Sequence, residues 1–409
     1  MMSAIAPVQD SHGLPPGPRM PSGAVTAIWA RHAQWVMSQC AARFGETFSL
    51  RLLHEDPWVM ISNPEHVKQV FTGDPSIFHA GEGNRILLPV LGENSLLLLD
   101  ERPHMHQRKL LLAPLHGTRM QGYAELMTDI AREEIAQWPT GVAYRLRPRM
   151  QAITLEIILR AVFGVQEPER LADLRGQLRR LLDVLTSPLM LGVLVLGPER
   201  LARVGPLARM LEGVDRLIYA EIHHRRQAAD LAERSDILSL LLQARDEDGA
   251  PMNDRELRDE LITLLVAGHE TTATALAWAV ERLTRHPGAL TRLTEEVAAG
   301  ETAYLEAVVT ETLRLRPVIS LVARRLSRPA EIAGMQLPAG VTVTPSIYLL
   351  HRRPDVYSEP DRFLPERFID QPPGTYTWIP FGGGRRRCLG AAFATMEMKV
   401  VLRAVLQRT

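Results

Sequence analysis

Cys388 lies within a run rich in glycine and arginine, Phe381-Gly382-Gly383-Gly384-Arg385-Arg386-Arg387-Cys388-Leu389-Gly390. A cysteine that binds a metal must stay deprotonated. A metal, nearby arginines and a helix N-terminus all favour the thiolate. Cys388 sits just before the apolar pattern of the last helix, where free backbone N–H groups point outward, so Leu389 and Gly390 can donate to the sulfur. Three glycines permit a tight bulge beneath a flat cofactor. Phe381 can shield the sulfur from water, and Arg386 can reach an anionic group on the cofactor. A buried structural cysteine would account for Cys388 alone but not for the ten-residue pattern. Cys40, in a helical stretch without such surroundings, reads as core packing.

A second constellation, Ala267-Gly268-His269-Glu270-Thr271-Thr272, falls midway along an unusually long helical pattern. Asn253, with Glu256 three residues on, makes a capping-box-like start. The pattern continues to about His286, where Pro287-Gly288 stops it. Roughly 33 residues make a helix about 50 Å long. Without heptads, such a helix should run through the middle of a large globule. Gly268 weakens it locally, and the two threonines compete for its carbonyls. An acid and a hydroxyl at the weakest turn of a buried apolar helix suggest a site. His269 reads as a packing or salt-bridging residue.

Two further pairs share a helix face by spacing: Glu311 with Arg314, and His104 with Arg108. Taken alone, each is an ordinary surface pair.

The elements that must position these residues are mostly helical. Pro15, Pro16 and Pro18 with Gly17 make a stiff lead-in within about residues 1–23. Residues 47–53 and 57–62 read as paired strands. From 104 to 315 apolar residues recur at three and four. After Pro317 the chain is irregular and strand-like until a final helix from about 389. The 409 residues are 46% apolar, enough for a sizeable core. Lys+Arg and Asp+Glu are both 47, which argues against a nucleic-acid binder. Only Lys68, Lys109 and Lys399 are lysines, a bias that reads as GC-rich codon usage. Two cysteines make no disulfide framework, so a reducing cytoplasm is the simpler setting. The N-terminus lacks the pattern of a signal peptide. No window reaches the roughly 18–20 apolar residues of a spanning helix. The most apolar run, 189–196, reads as a buried turn or loop.

The fixed positions F-x-x-G-x-R-x-C-x-G all match, and the run resembles the haem-binding signature of the cytochrome P450 family, whose known chemistry is cysteine-thiolate ligation of haem. Other stretches resemble the same family in the expected order. Ala267-Gly268-His269-Glu270-Thr271 is similar to its oxygen-activation segment. There Ala267 and Gly268 lie beside the cofactor, and Glu270 as acid and Thr271 as hydroxyl deliver protons through water; Thr272 would be a packing neighbour. Glu311 and Arg314 resemble two members of a structural triad. Arg367, within Pro365-Glu366-Arg367-Phe368, is the third. His104 and Arg108 resemble a haem-propionate pair. A further propionate arginine falls on Arg324, with Arg325 as the alternative.

The resemblance implies a mainly α cytochrome P450 fold: one large helical haem domain over 1–409 with small β-sheets, and haem b (iron protoporphyrin IX) as cofactor. It implies a monooxygenase that inserts one atom of O2 into an apolar small molecule such as a fatty acid, terpenoid or steroid. A fused reductase has no room beside such a domain, so electrons are expected from a separate ferredoxin and ferredoxin reductase. Arg385, Arg387 and Lys399 would offer a basic landing face. A monomer in a bacterial cytoplasm is expected, with no nucleic-acid partner and no membrane span. Segments 85–99, 190–196, 263–267 and 318–322 would line the substrate pocket. They are mostly Leu, Ile and Val, with Arg85, Glu93, Asn94, Ser95, Thr263 and Ser320 as polar exceptions. Only 21 residues follow Cys388, where the family usually adds a strand pair that closes the pocket, so a shortened end is expected. Two other readings stand beside this one. A peroxide-driven peroxygenase is disfavoured by the Glu270–Thr271 pair. A non-catalytic haem sensor or carrier is disfavoured by the lack of an output domain.

Overall fold

The computed structural model describes residues 13–115, 119–164, 167–185 and 205–408. The apolar run 189–196, with the lining segment 190–196, lies outside the described residues. The principal helices are α1 Ser22–Phe44, α2 Pro64–Thr72, α3 Glu101–Leu112, α4 Arg119–Ala136, α5 Leu146–Phe163, α6 Pro168–Leu185, α7 Gly205–Arg226, α8 Asp254–Thr284, α9 Pro287–Ala299, α10 Ala303–Leu315 and α11 Ala391–Leu406.

The 31-residue α8 is the axis of the molecule. Its capping box forms: Asn253 Oδ1 accepts from the N–H groups of Arg255 and Glu256 at 2.9 and 3.0 Å, and Glu256 accepts from Asn253 N–H at 2.8 Å. Pro287 does more than stop it. Its fixed φ and missing N–H suit the first turn of a helix, and it opens α9. α8 packs most extensively on α5 and also meets α7, α10 and α11. Leu257, Leu261, Leu265, Leu276 and Leu283 are buried among them, the pattern of a helix enclosed on nearly every side. No helix among the described residues is long and apolar enough to cross a membrane.

The expected strand pair is β1 Thr47–Leu50 and β2 Trp58–Ile61, antiparallel with Thr47 opposite Ile61. They join β3 Phe78–His79, β4 Arg324–Leu326 and β7 Thr342–Pro345 in a five-stranded sheet of order β1-β2-β7-β4-β3. β5 Ala330–Ile332 and β6 Met335–Leu337 form a separate hairpin. Adjacent strand residues point to opposite faces, so β4 sends Arg324 inward, where it is buried. Arg325 turns outward and pairs with Asp56 at 2.9 Å and Glu82 at 3.2 Å. Cys40 packs with Met37, Phe48 and Met60.

The irregular stretch after β7 is held by one buried ion pair, not a surface one. Glu311 and Arg314 are both fully buried. Arg314 grips Glu311 bidentately at 2.7 and 2.8 Å and donates to the carbonyls of His351 and Pro360, each at 2.7 Å, and of Arg362 at 3.1 Å. Glu311 also accepts from Leu364 N–H at 2.9 Å and Arg367 Nε at 3.3 Å. With every donor used, the burial of both charges is offset.

His351 sits beside this network with Nδ1 3.1 Å from Arg314 O, while its Nε2 accepts from Ile379 N–H at 2.8 Å. That pattern requires the neutral ring. Burial first, then the Arg314 charge, hold its pKa down at about 3, against an ordinary 6.5. Below pH 6.5 the unfolded chain therefore binds a proton that the folded chain refuses. The stability this group contributes is complete above 6.5 and falls away as pH drops toward 3. Denaturant midpoints measured from pH 7 down to 4 should decline, and His351→Gln, which keeps a donor and an acceptor but cannot titrate, should show a shallower decline.

Candidate active site

The loop before α11 folds back on itself: Cys388 N–H donates to Phe381 O at 2.8 Å. Gly390 N–H donates to the Cys388 sulfur, one of the two donors expected there. Burial pushes the thiol up. The Gly390 bond and the charges of Arg108 and Arg387 oppose that. Protein atoms enclose the sulfur, yet Cys388 has exposed surface. The Phe381 ring packs edge-on to Trp378 with centroids 5.9 Å apart.

Two of the three glycines lie against α2. A Cβ on Gly383 would lie 2.1 Å from the Phe71 ring, and one on Gly384 would lie 2.0 Å from Phe71 O. Gly384 also has φ +62°, and Gly382 φ +68° with only Val322 near its missing Cβ. The bareness of Gly383 and Gly384 thus also lets α2 close on the loop.

Three guanidiniums and the neutral ring of His104 converge beside the loop. His104 is buried, and burial followed by the charges of Arg386, Arg108 and Arg324 holds its pKa at about 3. Arg324 and Arg386 are each lowered to about 10, burial being the main cause. Arg324 donates to Ala323 O at 2.8 Å and lies over the Phe71 ring. Arg108 donates to Arg387 O at 2.9 Å. Among the described residues, Asp100 is the one carboxylate acting on Arg324 and Arg386, and it meets Arg386 at 2.5 Å. Three guanidiniums against one carboxylate suit a further anionic group, as haem propionates would be. Phe71, His104, Arg324, Gly383 and Arg386 line one crevice.

One short stripe of α8 is left open. Ala267 is exposed in mid-helix, with Leu264 and Thr271 partly exposed on the same stripe. Thr271 Oγ1 donates to Ala267 O at 2.6 Å. Gly268 is turned toward α5, where a Cβ would come 2.9 Å from Ile158 Cδ1. Glu270 faces the same helix: it accepts from Arg147, and from Gln151 Nε2 at 2.7 Å. The structure thus separates Ala267 and Thr271, on the open side, from Gly268 and Glu270, on the α5 side. His269 is buried with Nδ1 2.8 Å from Thr154 Oγ1, and burial lowers its pKa to about 4, so it packs as a neutral ring.

Over this face lies the segment 92–100, fastened at both ends. Asn94 donates its N–H and Nδ2 to Asp259, each at 2.9 Å, and Ser95 bonds Thr263 at 2.7 Å. Arg386 donates to the carbonyls of Leu96, at 3.1 Å, and of Leu99. Sequence reasoning missed Asp100, Arg147, Gln151 and two buried acids, Glu260 and Glu397. No local pattern marks them. The α8 periodicity alone could have flagged Glu260, seven residues before Ala267.

Residues 15–408 match the family model described as Cytochrome P450. The chain belongs to the cytochrome P450 family. It is 46% identical over 411 residues to a protein of Mycobacterium bovis provisionally named cytochrome P450 135B1, an alignment covering 97% of this chain and 85% of the relative. It is 40% identical to a protein of Mycobacterium tuberculosis provisionally named cytochrome P450 135A1, covering 97% and 88%. A solved cyanobacterial CYP120A1 with retinoic acid bound has TM-score 0.84 and 26% identity over 97% of this chain and 92% of that one. The haem domain of cytochrome P450DA shares the fold, with TM-score 0.79 at 23% identity over 96% and 90%. The P450 fold, the haem cofactor and the monooxygenase class follow from the family.

Gly384→Ala should destabilise the protein by at least the roughly 1–3 kcal/mol of a strained left-handed residue, and more through the clash with Phe71 O. Thermal unfolding would show it as a lowered midpoint, with Gly390→Ala, whose missing Cβ meets nothing, as the control.

Proposed function

We propose that this P450 monooxygenase acts on an apolar small molecule and draws its electrons from separate ferredoxin-type partners. Haem bound at Cys388 supplies oxygen activation, through which one atom of O2 enters the substrate and the other leaves as water. The chain's own residues do the rest. Cys388 holds the iron through sulfur, with Gly390 N–H keeping the charge on that atom. Arg108, Arg324, Arg386 and His104 bind the two propionates, and Phe381 keeps water from the sulfur. Ala267, small and exposed, lets the cofactor approach α8. Thr271 passes a proton inward from its Oγ1. Glu270 takes protons from solvent on the α5 side, where half-exposed Arg147 and Gln151 orient it. Glu311, Arg314 and Arg367 act as scaffold.

The apolar substrate rests on one observation: four of the six polar exceptions in the described lining segments, Asn94, Ser95, Thr263 and Ser320, bond within the protein. Ser95 bonds Thr263, Asn94 bonds Asp259, and Ser320 accepts from Gln34 at 3.3 Å. Besides Arg85 and Glu93, what remains is chiefly Leu, Ile and Val. The solved relative carrying retinoic acid, a long apolar molecule, supports the same class. For electron delivery, Lys399 is paired with Glu306, which leaves Arg385 and Arg387 as the exposed cations of the loop. Two free cysteines favour a cytoplasmic setting, and one domain over the whole chain belongs to the same reading.

Purified protein reduced under carbon monoxide should give the red-displaced absorption peak of a thiolate-ligated haem, and Cys388→Ser should abolish it. Persistence of that peak in the serine variant would sink the assignment. Arg324→Ala should release haem to an acceptor protein about tenfold faster or more, the loss of one charge-assisted bond of roughly 1.5–3 kcal/mol. Arg325→Ala should leave that rate unchanged.

A further inference from the structure

The start of α3 is pinned from outside the helix. Asp100 stands at its N-cap but does not cap it. Its carboxylate accepts instead from Gly81 N–H at 2.9 Å and Glu82 N–H at 3.0 Å, in the turn Ala80–Gly83 that follows β3. Glu101, the first helical residue, has φ +47°, a left-handed conformation that a residue with a side chain keeps only when its surroundings hold it. His79, the last residue of β3, reaches it. Its Nε2 lies 3.0 Å from Glu101 Oε1 and its Nδ1 2.9 Å from Glu82 Oε1.

These two bonds fix the charge on the ring. An ionised carboxylate only accepts, and a neutral imidazole has a single N–H. Glu82 is also engaged by Arg325 at 3.2 Å, and Glu101 is half exposed to water, surroundings that suit carboxylates. Both bonds therefore form together only on the imidazolium. His351 is the contrast: its ring meets one carbonyl and one N–H, and is neutral. The charged groups around His79 are Glu82 on its own turn, Asp100 and Glu101 at the start of α3, and Arg325 opposite it across the β3–β4 ladder. Behind them, Asp56 pairs with Arg325 and Arg386 with Asp100. Burial pulls the ring's pKa down, but the bonds to Glu82 and Glu101 and the charge of Asp100 outweigh it and leave it above the ordinary 6.5.

The bridge spans the two sides of one crevice. His79 pairs with Arg325 across the ladder, so the ring stands one residue along from Arg324. From Glu101, His104 and Arg108 follow at three and seven on the same face of α3. Glu101, His104, Arg324 and Arg386 line the crevice. We propose that His79 is a positioning residue: as an imidazolium bridging Glu82 and Glu101, it sets the spacing between the sheet edge that carries Arg324 and the helix that carries His104 and Arg108. A ring without its second proton keeps only one of the two carboxylates. Glu82, Asp100 and Glu101 then face one another with one cation fewer, and the start of α3 loosens. The bridge is complete below pH 6.5 and is lost as pH rises through the higher value of the folded protein. That this spacing governs haem retention rests on the propionate role proposed above.

The test reads the ring and the cofactor separately. In the ferrous, carbon-monoxide-bound protein labelled with nitrogen-15 histidine, His79 should show two protonated ring nitrogens at low pH and titrate with a midpoint above 6.5. A midpoint at or below that value would overturn the proposal. Haem transfer to an acceptor protein should quicken about two- to fivefold between about pH 6 and 9, the worth of a half-exposed ion pair. His79→Gln, which cannot titrate or bridge, should release haem at the faster rate throughout. His79→Arg, a permanent cation with donors for both carboxylates, should release it slowly throughout. A wild-type profile as flat as that of the glutamine variant, or an arginine variant no slower than the glutamine one at high pH, would also overturn it. Should the propionates sit elsewhere, Arg324→Ala would leave release unchanged while the His79 midpoint stayed high, which separates failure of that reading from failure of this one.

Discussion

Like charges crowded into a protein interior repel, and the molecule is arranged around one such crowd. Arg108, Arg324 and Arg386 come from α3, β4 and the cysteine loop around the neutral His104, with Asp100 as the carboxylate acting on Arg324 and Arg386. Burial and the neighbouring charges keep His104 neutral, and Asp100 pairs with Arg386, which limits the repulsion among the three guanidiniums. An anion that joined them would be strongly bound. The surrounding elements can be understood as the means of holding these groups together: the sheet register turns Arg324 inward, the i, i+4 spacing of α3 aligns His104 with Arg108, and α2 closes on the bare glycines of the loop.

The scaffold uses the opposite principle, in which each buried charge has an explicit partner. Arg314 reaches three carbonyls besides Glu311, and His351 adds a bond to Ile379 N–H. The irregular polypeptide between β7 and the cysteine loop has few repeating backbone bonds of its own. A point with this many donors substitutes for secondary structure, and it is placed where the loop must be aimed most accurately.

Features set by local spacing were legible in the sequence. The ten-residue run around Cys388, the Asn253–Glu256 cap and the length of α8 each depend on residues close together in the chain. What escaped depends on tertiary approach. Arg324 and Arg325 are indistinguishable until a strand register assigns them to opposite faces. The approach of Phe71 to Gly383 and Gly384 could not be read because Phe71 is some three hundred positions away. Glu311 and Arg314 looked like a surface pair since spacing says nothing of burial. Glu270 was legible as an acid, but its engagement by Arg147 and Gln151 was not, and Glu397 carries no motif at all.

The clamped segment 92–100 has a consequence for how such a pocket could diversify. Its backbone is anchored through Asn94 and Ser95 to α8 and through the carbonyls of Leu96 and Leu99 to Arg386. None of these anchors uses the leucine side chains. Those side chains can therefore be exchanged, and the shape presented to an incoming molecule redrawn, while the main-chain track stays in place. New selectivity would then cost little in foldability, which is the condition under which duplicated genes diverge quickly.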